Sequence, residues 1–318
     1  MRRGIVTMLS ATAVTSAVMA MAGFAAPAHA GTRLAPPGKA HAAQSLPVTA
    51  TVSYAGYEAS NRDFRFIHAV ISVPNQPVVS LPPGRPAGRP PSDVPGDFLY
   101  PQAYIQLSNG SQGSGDTYAR TGIETCLVAE NLDPGFICPT GVQWVAFVET
   151  FVNSTTPQFA HFVPLDANQG DGIEFSIYYP QQGTAVYFTI TAPSCSTGRL
   201  TAASQCVLHF QAPLSGPVFD HAAGLADYTN NGGTPIPLPS STQQFRITQF
   251  QQGAVTTDAG NKGSWTGPWV TSRIEATSNG LPFPQGTVEA SPSYLWTDGA
   301  VANGAARNND AFGVWERA

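Results

Sequence analysis

Two runs of alternating branched and aromatic residues, 117–128 and 142–152, flank a turn-rich connector and limit the fold class of this chain. A period of two sends successive side chains to opposite faces of a strand, so the pair reads as a β-hairpin. The pattern recurs over residues 49–54, 64–73, 100–107, 172–179, 184–192, 206–212, 243–251, 269–277 and 312–317. Residues 172–179 and 184–192 are separated only by Pro180-Gln181-Gln182-Gly183, a tight hairpin signal. Both faces of the run 64–73 are largely apolar, which predicts a central strand. Beyond the N-terminal segment no stretch has the helical period. About ten short strands separated by turns predict an all-β fold, an antiparallel β-sandwich.

Residues 1–30 read as a signal peptide: Arg2 and Arg3 begin it, an apolar run follows, and Ala28-His29-Ala30 supplies the small-x-small cleavage pattern. Nothing later resembles a membrane span, so none is expected after cleavage. Export is predicted, to the extracellular space or the cell wall. Residues 31–48 are Ala/Pro-rich and aperiodic, a flexible leader, and residues 49–318 form one β-sandwich domain. Within it, residues 74–96 carry eight prolines. Proline cannot donate to a sheet ladder, so this stretch reads as a surface insertion.

The formal net charge is −5 and falls further once Arg2 and Arg3 are removed, which argues against nucleic acid or an anionic membrane as partner. Charged residues make up 11% of the chain, against 31 glycines and 28 prolines. Aromatics at 10% exclude a disordered composition. In an exported chain the four cysteines are expected to form two local disulfides, Cys126 with Cys138 and Cys195 with Cys206. No C-x-x-C and no histidine cluster accompanies them, so neither a metal site nor a cofactor is expected. A monomer is expected.

With the strands laid out, the chain resembles the glutamic peptidase (eqolisin) family. Ser53-Tyr54-Ala55-Gly56-Tyr57, followed by the strand ending at Val73-Pro74, is similar to that family's opening. The stretches Ala103-Tyr104-Ile105-Gln106-Leu107 and Tyr118-Ala119-Arg120-Thr121-Gly122-Ile123-Glu124-Thr125-Cys126 resemble its next strands, as does Phe147-Val148-Glu149-Thr150-Phe151. Gln169-Gly170-Asp171-Gly172-Ile173 falls at its Gly-Asp turn, with residues 184–191 as the hairpin partner. The resemblance spans nearly the whole mature chain. It implies a concanavalin A-like, jelly-roll type sandwich and a groove for an extended substrate.

The family's catalytic pair does not carry over. There a Glu takes a proton from the attacking water, while a Gln orients that water and donates to the oxyanion. The Gln position is matched here by Arg120, whose guanidinium has no acceptor for water. The Glu position is matched by Val207, which cannot act as a base. Asp220, Asp227 and Glu149 are the weaker candidates for a displaced carboxylate.

Alternation puts Glu149 on one face with Val145, Phe147 and Phe151, opposite Trp144, Ala146 and Val148. Glu149 is then either a groove carboxylate or a structural one paired with Arg120 across neighbouring strands. Tyr54, Tyr57, Tyr104, Tyr118 and Trp144, with Arg120 and Glu149, are candidates for a concave binding face. The expected function is a secreted, non-catalytic protein binding a peptide or glycan. Alternatives are an acid-active endopeptidase using a displaced carboxylate, and a wall-associated structural protein.

Overall fold

One strand belongs to both layers of the molecule. The computed structural model describes residues 46–51, 54–74, 102–110, 117–126, 136–137, 144–153, 157–165, 167–168, 170–180, 183–192, 206–227, 245–277, 285, 288–297, 301–302, 305–306 and 309–316. Its strands are β1 (Val48–Thr51), β2 (Tyr54–Ser72), β3 (Gln102–Ser108), β4 (Tyr118–Thr125), β5 (Trp144–Phe151), β6 (Phe159–Leu165), β7 (Gly172–Tyr178), β8 (Ala185–Ala192) and β9 (Cys206–Pro213). There follow β10 (Phe219–Asp227), β11 (Phe245–Thr257), β12 (Lys262–Gly263), β13 (Val270–Thr277), β14 (Val288–Pro292), β15 (Val301–Ala302), β16 (Ala305–Ala306) and β17 (Phe312–Glu316).

The expected strands 49–54 and 64–73 are instead β1 and the 19-residue β2. The first half of β2 pairs with β10 and β13, the second with β7 and β11. Between them Asn61, Arg62 and Asp63 are exposed, and Asn61 takes the left-handed conformation at φ 71°, which asparagine tolerates better than most residues. There β2 passes from one layer to the other. The first sheet runs β13–β2–β10–β3–β4–β5–β6, and the second β9–β8–β7–β2–β11–β17–β14. The pairing of β13 with β14 joins the layers again. The pairings are antiparallel except for β1 on β13. This is the all-β antiparallel sandwich expected.

The core lies between the sheets. Ala103, Ile105, Leu107, Ile123, Ala146 and Val148 from the first meet Ile173, Phe175, Ile177, Phe188 and Ile190 from the second. Alternation is therefore right for most of β2: Ile67, Ala69 and Ile71 are buried while Phe66, His68 and Val70 are half-buried on the outer side. Phe64, expected on the side of Phe66, turns into the core because the register against β11 shifts at this point.

β6, β10 and β14 were not expected. β6 carries Pro164, and β10 reads FDHAAGLAD, with few of the branched residues that signal a strand. Yet β10 is central, paired on both edges. Among the described residues no helix is long and apolar enough to cross a membrane. The segment 1–30, most of the leader, and residues 75–96 of the proline-rich stretch lie outside the described residues.

Candidate functional site on the outer face of the first sheet

The expected hairpin forms as β4 and β5, in register from Tyr118 opposite Phe151 to Thr125 opposite Trp144. Its odd and even positions divide between core and outer face. Thr121, Ile123, Trp144, Ala146 and Val148 are buried, and the last four join the core cluster. Arg120, Glu124, Phe147 and Glu149 take the outer side, where Tyr104, Val145, Phe147, Phe162 and Leu225 form a second apolar cluster with Tyr54 packed against it. Two candidates thus separate from the rest: Trp144 and Tyr57 belong to the core.

Arg120 and Glu149 are direct register partners. The guanidinium Nε donates to Glu149 Oε2 at 2.6 Å, with the Arg120 side chain 15% exposed and Glu149 0%. Four rings surround the guanidinium carbon, at centroid distances of 5.3 Å (Tyr104), 6.0 Å (Tyr118), 5.5 Å (Phe147) and 5.2 Å (Phe151). Tyr118 and Phe151 stack at 4.3 Å. A guanidinium suits such a cage because it is planar and weakly hydrated. Burial alone would disfavour its charge, but the Glu149 carboxylate and its hydrogen bond outweigh this and hold the Arg120 proton more tightly than usual.

Four residues along β4, on the same face, sequence reasoning passed over Glu124. It is 0% exposed, and Gln102 of β3 donates its amide to Glu124 Oε2 at 2.6 Å. An amide and an acid therefore stand side by side. Burial first, and then the like charge of Glu149, push the Glu124 carboxyl well above its ordinary range, against the pull of Arg120 and the Gln102 hydrogen bond. Glu124 Oε1 and Glu149 Oε1 meet no hydrogen-bond donor among the described residues. One guanidinium is shared by two buried carboxyl groups, of which Glu149 takes the direct bond. The signal was available, since alternation puts residues 120 and 124 on one face. What the pattern lacks is any mark that an acid will be buried.

The raised carboxyl sets a pH dependence. Below an ordinary glutamate value of about 4.3, folded and unfolded chains both carry the Glu124 proton. Above it the unfolded chain releases the proton and the folded chain keeps it, so stability falls as pH rises, by about 1.4 kcal/mol per unit between the two values. Glu124→Gln mimics the protonated acid. It is expected to raise the thermal midpoint at pH 7 while leaving it nearly unchanged at pH 4. Identical melting curves for the two proteins across that range would contradict this.

A further group lies beyond Ala223 on the same face. Glu58, Ala223, Gln106, Arg120 and Glu149 occupy one row across β2, β10, β3, β4 and β5. In the next row His221 stands between Ser60 and Ser108. The register shift before His221 brings Asp220 beside it, and His221 Nδ1 lies 2.7 Å from Asp220 Oδ1. Asp220 also accepts from the Gly110 amide at 2.6 Å. Burial would raise the Asp220 carboxyl, but the Gly110 and His221 hydrogen bonds outweigh it and hold it below its usual range. Glu58 Oε1 sits 3.8 Å from His221 Nε2, and burial raises its carboxyl despite the imidazole.

The other candidates scatter. Asp227 ends β10 opposite Tyr54 and Gln102. Val207 is not brought to Arg120. It lies on β9, the outer edge of the second sheet, paired with Thr191 and 51% exposed. Cys126 is buried, while Cys138 and Cys195 lie outside the described residues. Among the described residues no group of three His, Cys, Asp or Glu side chains is placed to hold a metal ion.

No protein-family model matches the chain, and no curated protein matches it. Among solved structures it is similar to SCP-B, a member of the eqolisin family of peptidases in a complex with the tripeptide Ala-Ile-His. The identity is 14% and the TM-score 0.42, over 84% of this chain and 98% of that one. It is also similar to basic winged bean lectin with Tn-antigen, at 12% identity and a TM-score of 0.28, over 56% of this chain and 66% of that one. Both are distant likenesses, and neither gives this chain a family, an activity or a ligand.

Proposed function

We propose that the chain is a secreted, divergent relative of the glutamic peptidases that cleaves no peptide bond. It binds an extended peptide or glycan along the outer face of its first sheet, over Tyr54, Tyr104, Tyr118 and Arg120. The observation that supports this is the closed Arg120–Glu149 pair. Where the family resemblance calls for an amide holding a water, a guanidinium with no acceptor is locked to a buried carboxylate among four rings. In this reading Cys126 pairs with Cys138 and Cys195 with Cys206, residues 1–30 are removed on export, and the protein works outside the cell as a monomer.

A second reading rests on Gln102 and Glu124, an amide in direct contact with an acid whose carboxyl burial pushes well above its ordinary range. It makes the protein an acid-active endopeptidase with a displaced carboxyl. Incubation of the purified mature protein with denatured casein from acidic to neutral pH separates the two. We expect no cleavage. Pepstatin-insensitive cleavage abolished by Glu124→Gln, Glu149→Gln or Asp227→Asn would establish the second reading instead.

A further inference from the structure

The outer face of the second sheet carries a flat aromatic row that the groove reading does not use. Phe66, Tyr178, Tyr187 and Gln211 are consecutive register partners across β2, β7, β8 and β9. Their neighbours along each strand, Ile67, Ile177, Val186 and Ala212, are buried in the core, so the row projects outward. Phe66, Tyr178 and Tyr187 are half-buried and Gln211 is exposed. At about 4.8 Å per strand the row is ~14 Å long, room for a short run of sugar rings. The Tyr178 and Tyr187 rings are 6.3 Å apart and inclined by 34°, and Phe66 stacks nearly parallel to His68, at 6.5 Å and 8°.

Charge decides which partner fits. In the rows beside the aromatic one, the His68 and Glu174 side chains are paired at 2.9 Å, and Glu174 is held below its ordinary range, first by that hydrogen bond. Ser176 and Thr189 otherwise offer hydroxyls, and Thr189 Oγ1 contacts His209 Nδ1 at 3.2 Å. Over β2, β7, β8 and β9 these rows carry no lysine or arginine, and Lys262 of β12 stands beyond them, on the far side of Thr256 from Phe66. On a chain of net charge −5, a face whose carboxylate is compensated and whose lysine lies beyond the rings offers little to attract an anionic polymer. Half-buried rings flanked by hydroxyl and amide groups match a partner with apolar C–H faces and hydroxyl edges.

We propose that this face binds an uncharged polysaccharide. Its sugar rings lie across the strands on Phe66, Tyr178 and Tyr187, with Gln211 and Thr189 hydrogen-bonding the hydroxyl edges. The site is on the opposite layer from Arg120, so it stands whether or not the first sheet holds a ligand.

The test is co-sedimentation of the full mature chain with insoluble chitin and microcrystalline cellulose, and gel retardation by soluble laminarin. Binding to at least one is expected, weakened by about tenfold or more, or ~1.4 kcal/mol, in Tyr178→Ala/Tyr187→Ala. Thr189→Arg, which adds a charge without removing a ring, is expected to weaken it similarly, while Tyr294→Ala, an exposed ring on neither binding face, leaves it unchanged. Failure of the wild-type protein to bind any of the three overturns the proposal. So does retention of binding in both second-sheet variants, or an equal loss in Tyr294→Ala.

Discussion

Arg120→Ala is expected to destabilise the protein by about 3–5 kcal/mol, the largest effect of any single change on the outer face. The cost comes mainly from what is left behind. Glu149 is fully buried, its Oε2 is bonded to the guanidinium, and its Oε1 has no donor among the described residues. Removing the cation leaves a carboxylate in an apolar, aromatic setting. Glu124 nearby also loses the charge that partly offsets its burial. The remedy distinguishes a structural pair from a ligand-holding one. Arg120→Met combined with Glu149→Leu removes both charges and keeps the volume, and is expected to recover most of the loss. Urea unfolding of the three chains measures this. A single variant within about 1 kcal/mol of wild type would show that the pair is far better solvated than its burial implies.

Trp265→Ala is expected to cost a further ~3–5 kcal/mol, the range for truncating a buried tryptophan. Its indole is 0% exposed, meets Phe312 at 5.1 Å and Phe250 at 6.2 Å, and donates Nε1 to the Asp310 carbonyl at 3.1 Å. Two glycines make room for it. A Cβ on Gly224 would lie 2.5 Å from the ring, and one on Gly253 would strike the indole nitrogen. Gly224→Ala or Gly253→Ala is therefore expected to destabilise by expelling the ring, even though each adds only a methyl group. Thermal unfolding gives the magnitude. Tryptophan emission shifted to the red in the glycine variants would show that the indole has moved toward water.

The sequence carried the strands whose side chains alternate and lost those that do not. The hairpin of β4 and β5 was legible down to the Arg120–Glu149 pairing, because alternation fixes the face and opposite charges on facing strands favour each other. The same rule contained the error over Trp144, five residues from Glu149 and hence on the opposite face. An aromatic residue type alone does not say which side of a sheet it occupies. β10 was hidden by its alanines and glycine, and with it went the placement of His221 and Ala223 between β2 and β3. Val207 was misplaced for a related reason. A match made in chain order assigned β9 to the site, while the topology sends β9 to the far edge of the other layer. Gln102 and Glu124 both lay in expected strands. Their partnership rests on a cross-strand register that no local pattern encodes.

The partners of β2 set a problem of timing. Glu58 waits for Ser272, Val70 for Gln251 and Gly56 for Leu225, so the most interior strand is made early and completed late. With synthesis at roughly 5–20 residues per second, both edges of β2 stay bare for on the order of ten seconds. During that interval an apolar ribbon is open to pairing with any other extended chain. A holdase that keeps the nascent polypeptide extended until residue 277 has emerged should therefore raise the yield of native protein far more than it would for a fold whose neighbours in space are neighbours in sequence.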